Sequence, residues 1–217
     1  MPRASSRPTR QKLMETALDE FAARGFDGAK VDRIVRRAGV NKAMLYYHFP
    51  SKAALYLEIL REQFGALGEA VAGAREPGLA PEAQLRRFIA IIAREALARP
   101  RFPAIWLREI AEGGRHVDET VVLALRRVLE TLAAILQDGR RSGVFVAANP
   151  LVTQISVVAP LMFFAASAPF RARLTRLVPT AIPTPTLDDV IAHVQAATLA
   201  VVTQTATRRS RPRRPQQ

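Results

Sequence analysis

Lys42, Tyr46, Tyr47, His48 and Lys52 place two ammonium groups, two phenols and an imidazole within eleven residues. All five side chains can donate hydrogen bonds, and no carboxylate or thiol stands among them to share a catalytic proton or bind a metal. Donors alone suit the recognition of acceptors, such as phosphate oxygens or the N7 and O6 atoms of guanine. Lys42 is the candidate for a guanine contact, and the neighbouring Ala43 and Met44 can lie against thymine methyls. Tyr46, Tyr47, His48, Lys52 and the upstream Lys30 are candidates for holding the phosphate backbone. The alternatives are a half-buried core aromatic for each tyrosine and a structural hydrogen bond for His48.

Such side chains read a duplex only from a helix that is held still. Val31, Ile34, Val35 and Ala38 recur at i, i+3, i+4 and i+7, which predicts a short helix with one apolar stripe. Gly39 can take a left-handed turn that ends it, and Asn41 is a good N-cap for a second helix, KAMLYYHF. Two short helices joined by a tight turn are the layout of a helix-turn-helix, whose second helix enters the major groove. Upstream, Met14, Ala17, Leu18 and Phe21 predict a helix from Thr9 to Arg24, stopped by Gly25. Downstream, Ser51 can cap a long helix, and Lys52 in its first turn is explained by an anion coming to it, since the helix dipole disfavours a cation there.

The stretches ARGFDGAKVDRIV and AGVNKAMLYYHFPSKAALYLEIL, within about Thr9–Leu60, resemble the DNA-binding head of TetR/AcrR-type transcriptional regulators. The run Leu-Tyr-Tyr-His-Phe followed by Ser-Lys carries most of the likeness. The chain departs from the family where Ala29-Lys30 stands in place of a common Thr, Asn41 in place of Ser, and Ala43-Met44 in place of Gly and a small polar residue. The resemblance implies an all-α protein: an N-terminal three-helix helix-turn-helix domain, then a C-terminal helical ligand-binding and dimerisation domain. It further implies a homodimer on a palindromic operator, released by a small effector, so that the protein would act as a repressor.

The composition agrees with a polyanion as partner. Net charge is +13; residues 1–62 carry 12 basic and 7 acidic side chains, and residues 208–217 carry five arginines and no acid. A sequence-independent, nucleoid-type binder is the alternative that this charge alone would allow. Catalysis is disfavoured: the three histidines lie far apart, and neither a metal-binding HExxH nor a GxSxG elbow is present. With no cysteine, thiol nucleophiles and zinc-thiolate sites are excluded, and no cofactor is expected. That cysteine usage suits a cytoplasmic protein. Residues 142–170 are uncharged, yet Asn149, Thr153, Gln154 and Ser156 and prolines at 150, 160 and 169 argue for a buried interface helix over a membrane span.

These features divide the chain into a flexible basic arm (1–8), a helix-turn-helix domain (9–53, motif 30–49), a helical domain (54–207) and an Arg-rich tail (208–217) expected to be disordered. Arg3, Arg7 or Arg10 of the arm could touch DNA. The helical domain reads as helices from Ser51 to about Ala74, Glu82 to Ala98, through Ile105 to Ile110, Val117 to Arg141, 150 to 168 and 187 to 206. A long loop is expected over RARLTRLVPTAIPTPT because of its prolines. The last helix should pack through Val190, Val194, Ala197 and Val201. The helices at 150–168 and 187–206 are candidate dimer faces, forming a four-helix bundle across a two-fold axis. Phe88, Phe102, Trp106, Phe163 and Phe164 are candidate linings of a pocket for an apolar or amphipathic effector.

Overall fold

The computed structural model describes residues 6–178 and 183–203, all helices and connections. The expectations for the basic start before Ser6 and for the Arg-rich tail lie outside the described residues. Among the described residues ten helices follow in order: α1 (Ser6–Gly28), α2 (Val31–Ala38), α3 (Lys42–His48), α4 (Lys52–Ala72), α5 (Pro81–Ala98), α6 (Phe102–Ala111), α7 (Glu119–Arg141), α8 (Pro150–Ala166), α9 (Ala168–Leu177) and α10 (Leu187–Val202). The helix boundaries follow local chemistry. Asn41, Ser51, Asp118 and Asn149 each accept a hydrogen bond from a backbone N–H of the turn they open, and Thr186 with Asp189 forms a reciprocal capping box.

The N-terminal unit is built on α1. Leu13, Ala17 and Phe21 of α1, Ile34 and Ala38 of α2 and Leu45 of α3 are all fully buried. Truncating a core phenylalanine such as Phe21 to alanine would cost about 3–5 kcal/mol. Helical geometry in α1 breaks at Gly25 (φ 70°, ψ 179°), so the expected stop is real, but a last turn runs on to Gly28. Helix α1 starts at Ser6, so residues 6–8 belong to it and not to an arm. Arg10 does not reach outward either: it pairs with Glu58 of α4 and lies 5.3 Å from the ring centre of Phe49.

Helix α4 leaves this unit and packs along α7, α5 packs against both α4 and α7, and α8 and α10 close the layer against α5. Leu55, Ile59, Leu60, Leu85, Phe88, Ile89, Ile92, Val121, Leu132 and Ile135 fill the core with almost no exposure. Short helix α6 touches both α1 and α8.

Two expectations fail here. The segment assigned to a long loop holds α9, a ten-residue helix bent by 54° from α8. The prolines weighed against it lie at 179 and beyond, and Pro169 sits in the first turn, where no backbone N–H is needed. Helix α9 buries none of its side chains. In α10 the buried positions are Ile191, Val194, Thr198, Leu199 and Val202, while Ala197 and Val201 of the expected stripe face outward. That helix is apolar around most of its circumference, so periodicity could not select the inner face. No single helix among the described residues is long and apolar enough to cross a membrane.

Candidate nucleic-acid interface

Gly39 (φ 66°, ψ 35°) ends α2, its N–H bonding to the Arg36 carbonyl, while the Val40 N–H reaches the Val35 carbonyl at 3.0 Å. This closure of the helix end turns the chain sharply. Half-buried Val40 packs on the core beneath the turn, and Asn41 Oδ1 accepts from the Met44 N–H at 2.8 Å to start α3. Only Leu45 of α3 is buried, with Phe49 buried just past its end. Lys42, Ala43, Met44, Tyr46 and Tyr47 are exposed, Tyr46 by 45% and Tyr47 by 77%. Neither tyrosine is therefore a core aromatic. An apolar or aromatic side chain placed in water over most of a helix costs burial that a purely structural helix would use.

His48 is half-buried against the Tyr47 ring, at 5.1 Å between centres, and its Nε2 is buried without a hydrogen-bond partner. Lys30 is the exposed N-cap of α2 with no side-chain cap bond. Its N–H points at Glu20 Oε1 (3.4 Å), which also accepts from Arg33 Nε (2.6 Å). Burial opposes ionisation of Glu20, but Arg33 and the Lys30 N–H outweigh it and hold the carboxyl below its usual range. This buried carboxylate locks the start of α2 onto α1, so the motif is braced from behind.

Two lysines have partners that sequence reasoning missed. Lys52 turns inward: Nζ donates to the carbonyls of Phe26 (2.9 Å) and Ala29 (3.2 Å) and sits 4.4 Å from the Phe26 ring centre. The anion expected at this lysine is replaced by the partial negative charge of carbonyls just past the Gly25 break. Lys42 Nζ lies 3.0 Å from Asp32 Oδ1, and that hydrogen bond, then the charge of Asp32, raises the lysine pKa. Both partners belong to other elements, so no local spacing signals them.

The interface is coupled to the rest of the chain through α6. Arg108 Nη1 donates to the carbonyls of Phe21 (3.2 Å) and Ala22 (3.4 Å), and Arg101 pairs with Asp19. Glu109, 1% exposed, accepts from the Tyr56 hydroxyl (2.9 Å) and the His116 N–H (2.8 Å), with His116 Nδ1 at 3.1 Å. Burial, then the bond to Glu109, raises the Tyr56 pKa. The His116 ring packs on Phe26 at 4.0 Å between centres, beside the carbonyl that Lys52 holds.

The five aromatics expected to line an effector pocket do not converge. Phe88 is fully buried, and Phe102 and Trp106 pack edge-on to Phe64 at 5.0 and 4.6 Å. Phe163 is 68% exposed on the outer face of α8, and Phe164 is half-buried with the Arg171 guanidinium 3.8 Å from its ring centre. Phe163 therefore leaves the candidate pocket. An apolar groove of about 210 Å³ instead runs between α8 and α10, walled by Val152, Pro160, His193, Ala197 and Val201.

Comparison with known proteins decides what this helix-turn-helix belongs to. Residues 13–59 match the family of bacterial regulatory proteins described as the tetR family, and residues 81–185 match the tetracycline repressor-like C-terminal domain. The chain belongs to the TetR family. It is 30% identical over 139 residues to the transcriptional repressor NicS of Pseudomonas putida, covering 63% of this chain and 66% of that one. It is 26% identical over 160 residues to the transcriptional regulator RutR of Escherichia coli, covering 74% and 75%. A tetR-family regulatory protein from Rhodococcus RHA1 shares the fold with a TM-score of 0.73 at 15% identity, over 89% of this chain and 96% of that one. NicS and RutR are both HTH-type transcriptional regulators.

Proposed function

We propose that the protein binds a palindromic operator as a homodimer and represses transcription until a small effector releases it. The observation that carries this reading is α3: a capped helix anchored by one buried side chain, Leu45, with Lys42, Ala43, Met44, Tyr46 and Tyr47 all left in water. In this reading Lys42 reads a guanine, and Ala43 and Met44 touch thymine methyls. Tyr46, Tyr47, His48, Asn41 and Lys30 sit on the backbone or close to it.

One grip of this size gives modest affinity, so two copies about one DNA turn (~34 Å) apart are needed. The dimer face is α8 with α10. Leu151, Val152, Ile155 and Phe163 of α8 and Val201 of α10 expose apolar surface around the groove between the two helices. A contiguous apolar patch of this kind marks a protein contact. Release follows from α6, which touches α8 and also holds the α1 carbonyls through Arg108. An apolar or amphipathic effector that displaces α6 would move the head, provided that it binds the displaced state more tightly.

Competition at fixed salt tests the DNA-binding claim. A specific duplex should displace the protein from bulk DNA at concentrations at least a thousandfold lower than random DNA. Equal competition by every sequence would support a sequence-independent binder instead.

A further inference from the structure

Asp32 lies in the first turn of α2, where the helix dipole favours an acid, but its side chain stands beside the surface offered to DNA, where a carboxylate meets phosphate repulsion. It is the only acid in α2 and α3, and among the described residues its only partner is Lys42, the first residue of α3. The side chains are 76% and 53% exposed, a setting in which an ion pair adds little to stability. A carboxylate beside the recognition helix is repelled by phosphates and neutralises the lysine best placed to attract them. The pair therefore calls for an explanation other than affinity for the backbone.

The edge of a G·C base pair supplies one. In the major groove guanine offers two acceptors, N7 and O6, and cytosine offers a donor, its N4–H. O6 and N4 are joined by a base-pairing hydrogen bond of about 2.9 Å. Lys42 Nζ and Asp32 Oδ1 present a donor and an acceptor 3.0 Å apart. The two edges are complementary with the ion pair intact: the ammonium faces N7 and O6, and the carboxylate accepts from N4. We propose that Asp32 is a specificity-determining residue that reads the cytosine opposite the guanine held by Lys42.

This assignment rests on α3 being the recognition helix, and it brings the first turn of α2 into base reading. Because the pair carries no net charge, its contact adds discrimination without adding to the counterions released on binding.

The test uses the full chain and an operator recovered by selection from a random DNA pool. Each cytosine is replaced in turn by N4-methylcytosine, which blocks the groove-facing donor while leaving guanine unchanged. One position per half-site should then weaken binding by the wild-type protein about tenfold, and binding by Asp32→Ala less than twofold. Asp32→Ala should also tighten non-specific binding, since it frees the Lys42 charge. Equal weakening of both proteins, or no sensitive cytosine for the wild type, overturns the assignment while leaving the regulator reading intact. Should Asp32→Ala fail to fold, the wild-type scan decides alone, with 7-deazaguanine at the paired base expected to weaken binding at the same position. Selection that enriches no sequence removes the regulator reading and this one with it.

Discussion

Lys52→Met separates a structural lysine from a phosphate ligand. The substitution keeps the stem of the side chain and removes two charge-assisted hydrogen bonds, to the carbonyls of Phe26 and Ala29, together with the contact of the ammonium with the Phe26 ring. Hydrogen bonds to a charged donor contribute about 1.5–3 kcal/mol each when buried, and a cation–π contact about 0.5–1 kcal/mol. The site is half-buried, so water can replace part of what is lost, and a net destabilisation of about 2 kcal/mol is expected. Urea unfolding followed by circular dichroism measures it. In parallel, the dependence of operator affinity on salt should keep its slope, because the ammonium is occupied inside the head. A phosphate-bound lysine would lower that slope by about 0.9 per protomer. Unchanged stability with a reduced slope would refute the inward assignment and restore Lys52 to the DNA backbone.

Three further outcomes follow from packing and charge. A Cβ on Gly139 would stand 2.0 Å from Phe145 Cδ2, and Phe145 is buried and tied to the Gly139 carbonyl through its own N–H. Gly139→Ala should therefore expel that ring and cost about 2–4 kcal/mol in chemical denaturation, despite alanine being the better helix former. Burial opposes ionisation of Asp118, but bonds from Thr120, the Val121 N–H and Arg61 hold its pKa down to about 2. A lowered folded pKa stabilises above the unfolded value near 4 and ceases to do so as pH falls through the folded value. Asp118→Asn keeps the cap and should lose about 0.5–1 kcal/mol at pH 7, the gap to wild type closing between about pH 4 and pH 2 in acid-unfolding curves. Ile155→Asp places a charge in the exposed apolar face of α8 and should yield monomers in sedimentation, with operator affinity at least tenfold weaker and the fold retained.

The parts of the structure that were legible beforehand are those whose causes lie within a few residues. Gly39, Asn41 and Ser51 mark their turns by local hydrogen bonding, and the structure places all three as the spacing predicts. The exposure of Tyr46 and Tyr47 is not legible in the sequence, because a seven-residue helix is too short for periodicity to separate its faces. Helix α9 is masked in the sequence by the prolines that follow it, although a proline at 179 is compatible with a helix that has already ended at Leu177. The inner face of α10 and the outward position of Phe163 depend on which neighbours cover an almost wholly apolar helix. The partners of Lys52, Lys42 and Glu109 come from other elements, up to 53 residues away in the case of Tyr56 and Glu109. Such pairings arise only once the helices are packed, so Asp32, Glu20 and Arg108 gave no warning of their roles in the sequence.

The central claim is that the α3 surface is offered twice, in two-fold symmetry, to the major groove of DNA. Selection from a random duplex pool with the purified protein at near-physiological salt tests it most directly. The account predicts an inverted repeat whose half-site centres lie about one helical turn apart, with a G·C pair fixed in each half. Enrichment of a single unrepeated site, or of no sequence at all, would contradict it.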